Sequence, residues 1–388
     1  MSGTAEGTHS MALRVGVVGG GQLARMMVPA AVELGLEISV LAEGPGMSAA
    51  IAATAEGDYH DAETVLAFAR GVDVVTFDHE HVPQDVLRAL VAAGVAVHPG
   101  PDALAVAQDK IEMRERLSAL GVPVPEWAAV HDRSELAAFL ADHGGRAVVK
   151  TPRGGYDGKG VRVVADPAEV DDWFTAVAEL GGDQALLVEE LVPFTRELAQ
   201  SVARRPSGDV VAWPLVETVQ RDGVCAEVIA PAPAAAGRLA DEAESLAVRI
   251  AEELGVTGVL AVELFETADQ RILVNELAMR PHNTGHWSID GATTSQFEQH
   301  LRAVLDLPLG TTGMHAPAAV MVNVLGGPVD GDLAGRYPAA LEAFPEAKYH
   351  FYGKAPRPGR KVGHVTVLGE DVDDVVYRAR AAAAHFDD

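Results

Sequence analysis

Two carboxylates, a glycine-rich stretch and a few well-placed lysines carry most of the chemistry this sequence offers. Glu263 lies in the apolar run 259–265 and Glu276 in the run 271–277, with Ala268-Asp269-Gln270 between them. Two such runs around a short polar turn predict a β-hairpin, which brings the two acids close on a rigid sheet. Close carboxylates repel unless a divalent cation lies between them, and hard oxygen donors suit Mg2+ bridging phosphates. The plainer reading is two exposed strand acids. The bulk of Leu264-Phe265 and Ile272-Leu273-Val274 beside them favours a site.

Residues 150–160 read Lys-Thr-Pro-Arg-Gly-Gly-Tyr-Asp-Gly-Lys-Gly between the apolar runs 147–149 and 161–164. This predicts a strand–loop–strand unit. Its glycines let the backbone approach a ligand and aim several N–H groups at one anion, and Lys150 and Lys159 add positive charge. A cationic flap of this build suits polyphosphate. It is not a Walker loop: the Gly-x-x-x-x-Gly-Lys-Ser/Thr spacing is absent, and a strand follows where a helix would. The plainer alternative is a long surface hairpin. Six of the 30 basic residues are lysines, and five of them (Lys110, Lys150, Lys159, Lys354 and Lys361) fall in or beside such segments. A compact ammonium is wanted there in place of a planar guanidinium.

The elements that must hold these groups follow from pattern. At 388 residues the chain suggests two or three domains at ~150 residues each. A buried-type strand over 13–18 runs into Gly19-Gly20-Gly21-Gln22-Leu23-Ala24, a helix start, and a second strand over 38–41 precedes Glu43. That is close to a dinucleotide fingerprint, though a helix N-terminus takes any phosphate, a sugar 5′-phosphate included. A strand over 72–77 leads to Asp78-His79-Glu80-His81, where alternation predicts both acids on one face and both histidines on the other. The His-x-His pair lacks a third metal ligand; Glu80, at a strand end near the glycine turn, is the candidate for a ligand hydroxyl or amine. Another strand is expected over 95–97, and this first part reads as a βαβ domain.

A helix over 101–120 carries Gln108-Asp109-Lys110, and Gly121-Val122-Pro123-Val124-Pro125 reads as a hinge. A helix over 134–143, the glycine hairpin, a helix capped by Asp166 with Glu169 completing a capping box, and a strand over 184–188 make a small α+β unit of lid size. Strands over 197–204, 210–219 and 223–229 predict an antiparallel sheet, followed by a helix over 241–254. After the acid hairpin come the polar loop 280–287, a helix over 295–305 and a strand over 318–325. Residues 350–364 concentrate positive charge and suit one phosphate.

The formal charge of −26 argues against broad nucleic-acid or anionic-membrane surfaces. No apolar run is long enough to span a bilayer, and residues 1–12 read as a disordered extension without a targeting core. The single Cys225 rules out a disulfide framework and fits a reducing, cytoplasmic setting.

Taken together and in order, residues 19–26, 76–80, 150–160, 275–287 with Gln296-Phe297-Glu298, and 357–364 resemble the ATP-grasp superfamily. Within it they are similar to the N5-carboxyaminoimidazole ribonucleotide synthetase family, over nearly the whole chain. The resemblance implies an α/β and α+β ATP-grasp fold: an N-terminal βαβ pre-ATP-grasp domain over 13–121, a small lid over 122–190, and a C-terminal domain with a mixed, largely antiparallel sheet over 191–388. It implies ATP and Mg2+, with aminoimidazole ribonucleotide and bicarbonate as substrates, no nucleic-acid or membrane partner, and a homodimer. Lys110, Lys150, Gly155, Gln220, Asn275 and Glu276 would serve ATP, with Glu189, Glu190, Leu191 and Val192 at the adenine and Glu197 at the ribose. Glu263 and Glu276 would hold Mg2+. Gln22, Leu23, Glu80, Lys354, Arg360 and Lys361 would receive the ribonucleotide, its phosphate going to Arg360 and Lys361. Tyr156, Asp157, Lys159, Arg280, His282 and Asn283 would surround the bicarbonate and the reacting amine. The chain departs from relatives at Glu217-Thr218-Val219-Gln220, where they often carry Glu-Asn-x-His; Gln220 can donate a hydrogen bond to phosphate but cannot become cationic. Three rival readings stand beside this one: a formate-dependent glycinamide ribonucleotide transformylase, an NAD-dependent oxidoreductase built on the glycine turn, and a non-catalytic nucleotide-binding regulator.

Overall fold

The structure, a computed structural model, describes residues 12–154, 160–179, 184–235 and 237–387. Its first sheet is centred on short apolar strands covered on both faces, with a half-exposed strand at one edge. These are β1 (Arg14–Val18), β2 (Glu37–Ala42), β3 (Ala53–Glu56) and β4 (Val74–Phe77), all parallel in the order β3-β2-β1-β4. Helices α1 (Gln22–Glu33), α2 (Ala62–Ala69) and α3 (Gln84–Ala92) form the crossovers. The strand expected over 95–97 is reduced to one bridge, Val75 to Val97.

The helix expected over 101–120 is two: α4 (Pro101–Gln108) and α5 (Lys110–Ala119). Asp109 leaves helical conformation (φ −129°) and accepts hydrogen bonds from the N–H groups of Ile111 and Glu112. An Asp side chain competes with the helix backbone in this way. The break frees the Lys110 N–H to donate to the Pro152 carbonyl (2.8 Å), tying α5 to the root of the glycine loop.

A second, antiparallel sheet has the order β5-β8-β6-β7, from β5 (Trp127–Val130), β6 (Ala147–Lys150), β7 (Val161–Val164) and β8 (Leu186–Glu190). One side is covered by α6 (Arg133–Asp142) and α7 (Asp171–Glu179), which pack Leu136, Leu140 and Val177 against Val149 and Val188. The Asp166–Glu169 capping box is present, but it opens a 3-10 turn over Pro167–Val170 that leads into α7. Strand β8 runs two residues later than its pattern suggests, so Glu189 and Glu190 lie inside the sheet.

The third sheet has nine strands. It contains β9 (Phe194–Arg204), β10 (Val210–Ala212), β11 (Val216–Arg221), β12 (Val224–Ala230), β13 (Gly258–Thr267), β14 (Ile272–Ala278), β15 (Ala318–Leu325), β16 (Lys348–Phe351) and β17 (Lys361–Gly369). The strand expected over 210–219 breaks between β10 and β11 at Trp213-Pro214, because proline cannot donate to a ladder. Helix α8 (Arg238–Glu253) covers one face through Leu246 and Ile250, meeting Leu198, Val202, Leu260, Val262 and Leu264. Alternation then sends Ala199, Val259 and Glu263 to the opposite face, which faces the cleft. Helices α9 (Ser288–Gly291) and α10 (Gln296–Val304) line that side, α10 bridging to α1 through Phe297 and Leu301. Beyond them, α11 (Leu333–Ala343) and α12 (Val372–Ala384) cover the β15–β17 end of the sheet. Among the described residues no helix is long and apolar enough to cross a membrane.

Candidate active site

Strands β13 and β14 pair with Glu263 directly opposite Glu276. One residue further on, Leu264 pairs with Val274, so Asn275 is an extra residue, a β-bulge. The bulge matters because side-chain period in a strand is two. Ile272 and Val274 point into the core, and an unbroken strand would send Glu276 the same way. The inserted residue turns it to the side of Glu263. Burial, then Glu276 and Glu197, push the Glu263 carboxyl up to about 8, although 26 % of its side chain remains accessible. An acid pair this crowded fits a divalent cation. Among the described residues no group of three or more His, Cys, Asp and Glu side chains that could hold a metal ion converges, so a cation bound here would take most of its ligands from elsewhere.

The cations beside this hairpin form a buried cluster. Arg114 on α5 is fully buried and donates from Nε to Glu189 and from Nη2 to the carbonyl of Asn275 (2.6 Å). Lys150 Nζ lies 2.7 Å from Glu189 and donates to Asn275 Oδ1 (3.1 Å). Burial would raise the Glu189 carboxyl, but Lys150 and Arg114 override it and hold it below the usual range. Both Glu189 carboxylate oxygens are therefore engaged within the chain, Oε1 by Arg114 and Oε2 by Lys150. Glu190 accepts from the Glu126 N–H (3.0 Å), Leu191 is exposed, and Val192 is buried. Lys110 Nζ donates to the Gly154 carbonyl (2.9 Å) at the mouth of the glycine loop, its ammonium lowered by burial. Glu197 is raised by burial. Gln220 lies on β11 opposite Cys225, where the β11–β12 pairing is irregular. Gly155, Tyr156, Asp157 and Lys159 lie outside the described residues.

The glycine turn behaves differently. Gly20 N donates to Glu43 Oε2 (2.8 Å) and Ala24 N to Asp78 Oδ1 (2.7 Å). A Cβ at Gly21 would collide with the Asp78 carboxylate. Two acids of the chain itself thus sit at this turn, Glu43 on the Gly20 N–H and Asp78 on the Ala24 N–H. The His79 ring nitrogen beside it, with help from the Gly20 N–H, holds the Glu43 carboxyl at about 2. Strand β4 ends at Phe77, so Asp78–His81 lie beyond it, yet the expected grouping appears: both acids act on Arg280 and the two histidines share a side. Asp78 folds under α1, His79 lies 3.3 Å from Glu43, and the rings of His79 and His81 stack 5.2 Å apart on one side. Glu80 pairs with Arg280 through Oε2 (2.7 Å), and its Oε1 is buried without a hydrogen-bond partner among the described residues.

The loop after β14 completes the cleft. Gln296, at the first position of α10, accepts from the His282 N–H and donates to the His282 carbonyl, both at 2.8 Å. The ring of His282 reaches Thr284 Oγ1 (3.0 Å) and lies 3.6 Å from Glu263. Burial, then Arg280 and Lys361, keep it neutral, well below the usual histidine range. Asn283 is buried, and neither of its side-chain polar atoms has a hydrogen-bond partner among the described residues. Lys354 Nζ donates to Gln22 Oε1 (2.5 Å), joining the basic segment to α1. Lys361 opens β17, and its charge acts on Glu263, His282 and His286. Arg360 donates to the Ala355 carbonyl (3.2 Å). Leu23 is buried with Val15 and Met27, so its side chain belongs to the core, not to a ligand surface.

Sequence reasoning missed Arg114, and it named Asp78 and Gln296 without giving either its positioning role. Arg114 had a signal: α5 buries Met113, Arg114 and Leu117, so a basic residue falls within the apolar stripe. Asp78 and Gln296 had none, since their partners are 54 and 14 residues away.

Comparisons with known proteins show the family to which this fold belongs. The ribonucleotide synthetase preATP-grasp domain matches residues 11–108, the ATP-grasp domain residues 115–297, and the phosphoribosylaminoimidazole carboxylase C-terminal domain residues 319–378. The chain is 52 % identical over 380 residues to the N5-carboxyaminoimidazole ribonucleotide synthase of Mycobacterium tuberculosis, covering 97 % of this chain and 88 % of that one. It is 49 % identical to that of Corynebacterium ammoniagenes, with 95 % and 91 % covered. Among solved structures, an Aspergillus clavatus enzyme of the same name complexed with ATP superimposes with a TM-score of 0.87 at 32 % identity, covering 97 % and 98 %. The A. clavatus enzyme in complex with ADP and 5-aminoimidazole ribonucleotide gives 0.85 at 31 %, again covering 97 % and 98 %. With relatives this similar along its whole length, the chain belongs to the N5-carboxyaminoimidazole ribonucleotide synthase family of ATP-grasp ligases.

Proposed function

We propose that this chain carboxylates the exocyclic amine of 5-aminoimidazole ribonucleotide, consuming ATP and bicarbonate and giving N5-carboxyaminoimidazole ribonucleotide, ADP and phosphate. The observation that carries the reading is the bulged hairpin: a crowded acid pair, Glu263 and Glu276, beside the lysines of the lid root and the Arg280–His282 loop. A solved relative binds ADP and the aminoimidazole ribonucleotide together.

Bicarbonate is a poor electrophile. Transfer of the γ-phosphoryl group of ATP to it gives carboxyphosphate, which delivers CO2 or carboxylate to a weak amine and leaves phosphate. We assign Lys110 and Lys150 to the phosphates, where they offset charge that accumulates during transfer. Mg2+ held by Glu263 and Glu276 would supply further neutralisation of the phosphate oxygens. Asn275 and Gln220 belong to the nucleotide side of the cleft, with residues 189–192 and Glu197 toward base and ribose. Arg280, oriented by Glu80, together with neutral His282 and Asn283, is assigned to bicarbonate and the reacting amine. The unpartnered Glu80 Oε1 is an acceptor for an amine or hydroxyl. Gln22, Lys354, Arg360 and Lys361 take the ribonucleotide, the phosphate lying with the last two. Carboxyphosphate hydrolyses readily, so the glycine loop with Gly155, Tyr156, Asp157 and Lys159 is assigned to excluding water.

Divisions near 121 and 190, action as a homodimer and a cytoplasmic location belong to the same proposal. The three separate sheets support the divisions, and the single, buried Cys225 fits a reducing compartment. The test is ADP release with each amine paired with each acid. Aminoimidazole ribonucleotide with bicarbonate should be the productive pair. Turnover only with glycinamide ribonucleotide and formate would make the chain a transformylase.

A further inference from the structure

We infer that Arg114 is a positioning residue: it locks the Asn275 bulge, and through it the orientation of Glu276, to the buried ion pair of the lid. The inference rests on the proposed role of Glu263 and Glu276 in holding a divalent cation.

A bulged residue falls out of the ladder, and its carbonyl must find a donor elsewhere. Here the Asn275 carbonyl accepts from Arg114 Nη2 (2.6 Å), while its side-chain oxygen accepts from Lys150 (3.1 Å). On the other side of the bulge the Val274 N–H donates to Pro123 in the hinge (2.8 Å). Those anchors hold the extra residue in place. Were the bulge to regularise, Glu276 would turn toward the face of Ile272 and Val274, away from Glu263. Arg114 Nε meanwhile donates to Glu189 on β8, which also holds Lys150. One planar guanidinium thus spans the lid sheet and the cation-holding hairpin. A lysine ammonium could pair with Glu189 but lacks the fork that also reaches Asn275.

The arrangement makes cation affinity depend on a residue that touches neither cation nor nucleotide. Outer partners of metal ligands typically govern ~10–100-fold in affinity. The test uses the full chain, with ADP binding followed by calorimetry across a Mg2+ titration. Arg114→Lys should raise the Mg2+ concentration at half-effect about tenfold. ADP affinity without Mg2+ and aminoimidazole ribonucleotide affinity should stay within about twofold. A purely structural arginine would lower the melting temperature without singling out the Mg2+ dependence. Should Arg114→Lys not fold, Arg114→Met, which removes the donor to Asn275 and leaves Lys150 paired with Glu189, decides alone. It should show the same Mg2+ defect, because the Asn275 carbonyl still lacks its donor. An unchanged Mg2+ dependence in either variant overturns the inference. A wild-type chain whose ADP binding ignores Mg2+ would instead remove the reading of the acid pair, and the inference with it.

Discussion

The glycine turn over residues 19–24 and the hairpin of β13 and β14 both advertise a ligand in the sequence, yet they are opposites in the fold. At the turn, the chain supplies anions of its own: Glu43 and Asp78 accept from the Gly20 and Ala24 N–H groups, where negative charge is favourable. At the hairpin, the chain supplies acids with too little internal compensation. Glu263 is pushed up to about 8 by burial and by its neighbours Glu276 and Glu197. A motif therefore signals a site only where its charges are left open. In the proposed function the turn orients α1 and Gln22, and the hairpin would hold the cation.

The largest expected effect tests the hairpin. Glu276→Gln should cut ADP release by about 100-fold or more, since loss of a ligand should exceed loss of an outer partner. Near-normal turnover would put Glu276 outside the cation site. Next, Lys361→Ala should raise the KM for aminoimidazole ribonucleotide by about tenfold or more while sparing that for ATP, as expected for one charge-assisted contact. A change confined to ATP would mean that the basic segment serves the nucleotide.

On the turn, Glu43→Gln should leave turnover within about twofold and cost roughly 1 kcal/mol of stability, because an amide oxygen still accepts from Gly20 but loses the attraction of His79. Chemical denaturation and steady-state rates together check this. A collapse in rate with stability intact would make the turn part of the site and erase the contrast.

The smallest effect lies at the seam between the two regions. His300 Nε2 meets Thr76 of β4 at 2.7 Å, and its Nδ1 accepts from the Val259 N–H of β13 (3.1 Å). Nδ1 is therefore the acceptor, and Nε2–H donates to Thr76. Burial lowers the folded-state value to about 3, against 6.5 for a free histidine. Below pH 6.5 the unfolded chain binds the extra proton, so this contribution is fully present above 6.5 and is lost as pH falls toward 3. The urea midpoint should drop between pH 7.5 and 5.5, and His300→Gln should reduce that drop. An unchanged drop would remove His300 from the seam.

Much of this was legible in the sequence because it depends on local pattern. Two apolar runs around a short polar turn put Glu263 and Glu276 on paired strands, and the Asp166–Glu169 spacing gives the capping box. What escaped depends on partners distant in sequence or on single-residue irregularities. The bulge at Asn275 leaves no mark in hydropathy, yet it decides which way Glu276 faces. Asp109 split one apparent helix in two, and Pro214 split one apparent strand. Asp78 could not be recognised as a helix cap until β4 was seen to end at Phe77 and α1 to lie over it.

The most direct test is a crystal structure of the chain soaked with Mg2+ and ADP. A cation between Glu263 and Glu276, with the phosphates against Lys110 and Lys150, is the predicted result. ADP lying along residues 19–24, or a carboxylate pair left without a cation while nucleotide is bound, would contradict it.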